Sequence, residues 1–116
     1  MVGLRGTFKV PYSFHGMEKK TPAYDLAGFH REFTTVRALR LTRTASTCAI
    51  DIGLTLIEVV EVIQSMKREH FYKAMTVDGH SRVWQDVYHV PWESLTLYVK
   101  LTIDAEGRLL VSFKEK

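Results

Sequence analysis

The amino-acid sequence predicts an α+β domain in which N-terminal helices pack on one face of a C-terminal antiparallel sheet. Apolar residues mark one face of a helix at Leu56, Val59, Val60, Ile63 and Met66, whereas from residue 82 onward the period changes to alternation. The alternating runs are joined by short connections at Pro91 and at Asp104–Gly107, as hairpins require, so helices precede a meander and must cover it. At 116 residues a single hydrophobic core is expected, with no repeat and no linker.

Taken in order, residues 1–16 are punctuated by Gly3, Gly6, Pro11 and Gly16 and sustain neither period; they read as an N-terminal extension of a single domain spanning 17–116. A helix is expected near 22–33, with Thr21 as its cap, Pro22 in its first position and Leu26, Phe29, His30 and Phe33 at helical spacing. In the Thr-rich stretch Thr34–Thr47, Val36, Leu39 and Leu41 suit neither period well, and Thr and Val lower helix propensity; a helix over 43–52, stopped by Gly53, is the expectation there. The core helix comes next, with Glu58, Glu61 and Gln64 on its outer face. A short helix over 67–75 should turn Phe71, Ala74 and Met75 inward and leave His70 and Lys73 as outer neighbours, ending at Val77–His80. Three strands complete the chain at 82–90, 95–103 and 108–114.

In the second of these strands Leu95, Leu97, Val99, Leu101 and Ile103 take one side, which leaves Thr96, Tyr98, Lys100 and Thr102 on the other. In the third, Leu109, Val111 and Phe113 repeat the apolar side and Arg108, Ser112 and Lys114 the polar one, interrupted by Leu110. The helices must cover the apolar side, since each large side chain left wet forfeits about 1.5–3 kcal/mol. The opposite face presents a tyrosine beside ammonium groups, which suits a stacked base and its phosphate or, more plainly, a solvated face. The first strand offers Val83, Gln85, Val87 and His89 on one side against Arg82, Trp84, Asp86, Tyr88 and Val90 on the other; period alone does not choose, though Trp84 and Tyr88 suit core volume with Asp86 satisfied by a partner.

Composition narrows the class further. No apolar run approaches the ~20 residues of a bilayer span, and the opening MVGLRGTFKV lacks the apolar centre of a secretory signal, so a cytoplasmic protein without membrane contact is expected. Cys48 is the single cysteine, and the five histidines show no metal-ligand spacing; neither an internal disulfide nor a metal or other cofactor is expected. The net charge of +3 permits a polyanionic partner without demanding one, although Lys19, Lys20, Arg31, Arg37, Arg40 and Arg43 face only Asp25 and Glu32 in the early chain.

Five strings carry a resemblance: MEKKTP at 17–22, HFYKAM at 70–75, VWQDVY at 83–88, LYVKLT at 97–102 and LLVSFKEK at 109–116. In order and spacing they resemble the MqsR family, the motility quorum-sensing regulator toxins. Between about 23 and 66 the likeness is mainly one of helical pattern. The resemblance implies a RelE-type ribonuclease toxin fold and metal-independent, ribosome-independent cleavage of single-stranded mRNA at GC-containing triplets such as GCU. It also implies a cognate antitoxin with a zinc-bearing domain that grips the toxin and a helix-turn-helix domain, through which alone operator DNA is reached. Carried over by motif, the catalytic positions fall on Lys73, Gln85, Tyr98 and Lys114, with Tyr72, Met75, His89 and Lys100 as substrate-binding neighbours. The family start corresponds to Met17, so residues 1–16 lie upstream of it; Ala74 stands where Ser is expected and His89 where Arg is expected.

Metal-free RNA cleavage needs an acceptor for the 2′-hydroxyl proton, cations facing the phosphorane oxygens and a donor for the departing 5′-oxygen. Lys73 and Lys114 suit the cationic role, Tyr98 a proton-transfer and stacking role, and Gln85 an orienting one. Reference pKa values of ~10 for Tyr and ~10.4 for Lys place charge stabilisation and positioning ahead of acid–base work unless the site shifts them. His70, one turn from Lys73 on the expected helix, and His89, on the side of Gln85, offer a rival acid or base. A non-catalytic RNA-binding or protein-interaction module using the same Tyr and Lys face is the alternative of a different class, and a degenerate toxin a third.

Overall fold

The structure is a computed structural model describing residues 16–77 and 80–116, so the expectation for residues 1–15 lies outside the described residues. The elements are β1 (Glu18–Lys19), α1 (Leu26–Glu32), α2 (Arg43–Asp51), α3 (Leu56–Ser65), β2 (Phe71–Val77), β3 (His80–Trp92), β4 (Leu95–Asp104) and β5 (Gly107–Glu115). The strands form one antiparallel sheet in chain order. Helices and an antiparallel sheet together make the fold α+β, as the sequence predicts.

The core lies between the helices and one sheet face. Phe29 and Phe33 from the α1 region, Ala45 and Ala49 from α2, and Val59, Val62, Ile63 and Met66 from α3 pack against Tyr88, Val90, Leu97, Val99, Leu101, Leu110 and Phe113. Within α3 the apolar face is rotated from the expected one: Val62 is buried, Val60 is half-buried and Leu56 is exposed. Thr55 starts this helix with a full capping box, its hydroxyl accepting from the Glu58 N–H while the Glu58 carboxylate accepts from the Thr55 N–H. Thr42 caps α2 by accepting from the Ala45 N–H, and α2 runs to Asp51 before Ile52 and Gly53 turn the chain.

Three expectations are corrected. The first helix begins at Leu26 with Asp25 as its cap, not at Pro22 with Thr21. The reason is Asp86: its buried carboxylate accepts from the backbone N–H groups of Ala23 and Tyr24, which ties this segment across the sheet before a helix can start.

The helix expected over 67–75 is absent; a short 3₁₀ turn at Arg68–His70 leads straight into β2. A seven-residue segment with Phe71, Tyr72, Thr76 and Val77 fits strand as readily as helix, and pairing on both sides, with β1 and with β3, decides between them.

In β5, Leu110 rather than Leu109 and Val111 enters the core. The ladder pairs Lys100 with Ser112 and then Leu101 with Leu110, so Val111 is an extra residue that reverses the phase of everything before it. Arg108 thereby joins the helix side, where it pairs with Glu32 of α1 and lies over the Phe29 ring.

On β3 the structure chooses the open side. Asp86, Tyr88 and Val90 face the helices, and burial pushes the Tyr88 phenol up to about 12. Trp84 is half-buried, with the Lys19 ammonium over its ring.

Candidate active site

The sheet face away from the helices is assembled by strand phase. With Asp86 and Tyr88 turned inward, β3 shows Gln85, Val87 and His89 outward; β4 adds Tyr98 and Lys100, and β5 adds Ser112 and Lys114. The strand β2 contributes three side chains in four residues. Its register passes from Phe71 opposite Tyr88 directly to Lys73 opposite Val87, so Tyr72 is a bulged residue and stands on the same face as Lys73 and Met75. The ladders set these groups in rows: His89, Tyr98 and Lys114; then Lys73, Val87, Lys100 and Ser112; then Met75 and Gln85. Strands ~4.8 Å apart and rows ~7 Å apart make a compact grid.

Lys73, Met75, Val87, Tyr98, Lys100 and Lys114 line one cavity of about 300 Å³. Val87 is its apolar floor, only 1% exposed beneath the lysine and tyrosine side chains. Beside the cavity an aromatic platform forms: the Tyr72 and His89 rings are stacked with centroids 4.4 Å apart, and Tyr98 meets His89 edge-on at 4.5 Å. Ammonium groups flank the platform, Lys20 and Lys73 over Tyr72 at 5.0 and 5.4 Å and Lys114 near Tyr98 at 5.9 Å.

The three cavity lysines differ in environment. Lys73 is ion-paired with Glu18 of β1, and that hydrogen bond holds its amine above the ordinary lysine range. Lys100 forms no salt bridge among the described residues; burial, and then the charges of Lys114 and Lys73, pull its amine below the ordinary range. Lys114 is exposed at the mouth. The imidazole of His89 is pushed down by burial and by Lys116, which favours its neutral form, and its buried Nε2 has no hydrogen-bond partner among the described residues.

All eight residues singled out from the sequence therefore lie on one face, and five of them line the cavity; Tyr72 and His89 form its aromatic margin, and Gln85 lies one row away beside Met75. Lys73 reaches the site from a strand rather than a helical turn, and that change separates it from His70, whose Nδ1 accepts from the Lys67 N–H in the 3₁₀ turn. Sequence reasoning missed Glu18 and Lys20. Both sit inside the MEKKTP string, but only the short pairing of Glu18 with Met75 and of Lys19 with Ala74 reveals that this string borders the site. Among the described residues no three His, Cys, Asp or Glu side chains group to hold a metal ion, and no helix is long and apolar enough to cross a membrane.

Comparison with known proteins points the same way. A family model described as "Motility quorum-sensing regulator, toxin of MqsA" matches residues 21–115. The mRNA interferase toxin MqsR of Escherichia coli (strain K12) is 35% identical over 100 residues, which cover 86% of this chain and 100% of that protein.

Proposed function

The chain belongs to the family of motility quorum-sensing regulator toxins, and from that premise we propose that it is an mRNA interferase, a toxin endoribonuclease that inhibits translation and growth and is restrained by a cognate antitoxin. The observation that carries the reading is the convergence of Lys73, Tyr98, Lys100 and Lys114 on one cavity beside an aromatic platform. Single-stranded RNA is held by stacking on exposed rings and by cations along its backbone, and this face offers both within one grid.

The reaction is a transesterification. The 2′-hydroxyl loses its proton, its oxygen forms a bond to phosphorus, the bond from phosphorus to the 5′-oxygen breaks, and that oxygen is protonated as it leaves. The products are a 2′,3′-cyclic phosphate and a 5′-hydroxyl. Lys73, held by Glu18, and Lys114 face the non-bridging oxygens, whose charge grows in the transition state. Lys100 is the group best suited to accept the 2′-hydroxyl proton, because burial favours its neutral amine. On this reading Tyr98 protonates the leaving oxygen, and Gln85 orients the strand. The buried Nε2 of His89, without a hydrogen-bond partner among the described residues, supports a second reading in which the imidazole is the acceptor.

The finer reading is a RelE-type fold acting without metal or ribosome at GC-containing triplets, in the cytoplasm, with an antitoxin that carries zinc-binding and helix-turn-helix domains and alone contacts operator DNA. Residues 17–116 suffice for the activity on this reading, so a chain starting at Met17 should cut as the full chain does. The deciding experiment incubates purified protein with a GCU-containing RNA in excess chelator and analyses the ends. Cyclic-phosphate and 5′-hydroxyl termini are expected. Intact RNA would leave the non-catalytic binding module standing, and cutting abolished by the chelator would overturn the metal-free chemistry.

A further inference from the structure

Next to the lysine cavity lies a second one of about 490 Å³, bounded by Thr42 and Thr44 at the start of α2 and by Met75, Gln85, Lys100 and Ser112 on the sheet. The two cavities share Met75 and Lys100 in their linings and are therefore adjacent. We propose that this second cavity is the specificity pocket of the site, taking one nucleobase of single-stranded RNA and reading its hydrogen-bonding edge through Ser112, Gln85 and Thr44. The inference rests on the proposed RNA-cleaving site and names which part of that surface selects sequence.

Three observations carry it. Ser112 lines this cavity, and its hydroxyl oxygen is buried without a hydrogen-bond partner among the described residues. A buried polar atom without a partner is costly unless a ligand completes it, so it marks a place where an acceptor or donor is expected to arrive. By contrast the Thr42 hydroxyl is already occupied, donating to the Val111 carbonyl and accepting from the Ala45 N–H; it forms wall rather than contact.

The second observation is the chemistry of the lining. Met75 supplies an apolar, polarizable surface for a flat ring, while the Gln85 amide, with donors and an acceptor in one plane, and the hydroxyls of Ser112 and Thr44 offer the few convergent polar groups that give a concave site its selectivity.

The third is the order of the rows. The platform of Tyr72, His89 and Tyr98 lies on one side of the Lys73, Val87 and Lys100 row, and Met75 with Gln85 lies on the other, each ~7 Å away. An RNA strand with its scissile phosphate over the lysine row thus drapes one flanking base on the rings and delivers the other to the pocket. Ring stacking tolerates any base, whereas a polar pocket does not. Sequence preference is consequently concentrated at the nucleotide on the Gln85 side.

The test measures binding, so that it stands apart from catalysis. Short RNAs carrying a single 2′-deoxy nucleotide at the cut position, and differing by one base at each neighbouring position, are titrated against the full chain and its S112A and T44V variants. The wild-type protein should discriminate bases strongly at one flanking position, and each variant should lower that ratio of Kd values by about three- to tenfold there alone. Thr44 is exposed in the first turn of α2, so T44V reports on the pocket even where S112A disturbs the strand. Wild-type ratios retained in both variants, or equal binding of all the RNAs by the wild type, would overturn the pocket. Failure of the cleavage reading shows separately, as all-ribose RNA left intact by the wild type.

Discussion

Replacing Asp86 by asparagine tests how the fold positions the site. Asp86 is 1% exposed and faces the helices, between the outward-facing Gln85 and Val87, and its two carboxylate oxygens accept from the N–H groups of Ala23 and Tyr24 at 2.8 and 2.9 Å. These bonds tie down the segment that leads from β1, with Glu18, into α1. An asparagine keeps one acceptor and turns an NH₂ toward the other backbone donor, so one donor is left unsatisfied at a cost of about 1–3 kcal/mol. Taken as ~2 kcal/mol, the loss lowers Tm by about 10 °C, using ~4–8 °C per kcal/mol for a domain of this size.

The pH dependence gives a second reading of the same variant. Burial holds the Asp86 carboxyl above the ordinary carboxylate range, outweighing the two N–H groups that act the other way. Folding therefore favours the protonated form. The stability this contributes is fullest below the unfolded value of ~3.9 and is lost as pH rises through the folded value. Asparagine does not titrate, so the gap in Tm between wild type and variant should widen from pH 7 toward pH 4 in thermal melts followed by circular dichroism. A shift below about 2 °C at pH 7, or a gap that narrows in acid, would refute this account of Asp86.

Three further outcomes bear on the site. Lys100→Met should lower kcat by about 10²- to 10⁴-fold and remove the limb of the pH–rate profile that lies below the ordinary lysine range; a retained limb would move the acceptor role to His89. Glu18→Gln releases Lys73 from its partner to meet one more phosphate, so the slope of log K against log salt for single-stranded RNA should steepen by about 0.7, and an unchanged slope would show that the pair does not restrain Lys73. His89→Ala removes the middle ring of the platform and should weaken RNA binding by about 1–3 kcal/mol, seen as a higher KM with kcat little changed; a loss confined to kcat would favour the imidazole as the proton acceptor.

Much of this architecture was legible from period alone. The helix α3 and the strands β3, β4 and β5 follow from spacing and alternation, and the polar partition of β4 placed Tyr98 and Lys100 on one face. What escaped were features decided by tertiary pairing. The segment Phe71–Val77 is too short for its period to separate helix from strand, and its neighbours on both sides settle the matter. The bulged residues Tyr72 and Val111 leave no compositional mark, yet they decide which side chains meet the solvent. The Asp25 cap was hidden behind a plausible Thr-Pro start because the Asp86 contact that rejects that start spans more than sixty residues. The motif resemblance selected the site residues; it could not show that Glu18 holds Lys73.

The extra residue at Tyr72 has a bearing on how this chain tolerates change in length. A regular strand of seven residues spends alternate positions on each side, but here two consecutive side chains are presented to the same side. Removing Tyr72 or Lys73 would heal the ladder and leave the interior undisturbed, and the same edit would strip the outer surface of an aromatic ring or an ammonium group. Insertions and deletions in this short stretch are thus selected through what the surface grips, while the folded state itself remains largely indifferent to them.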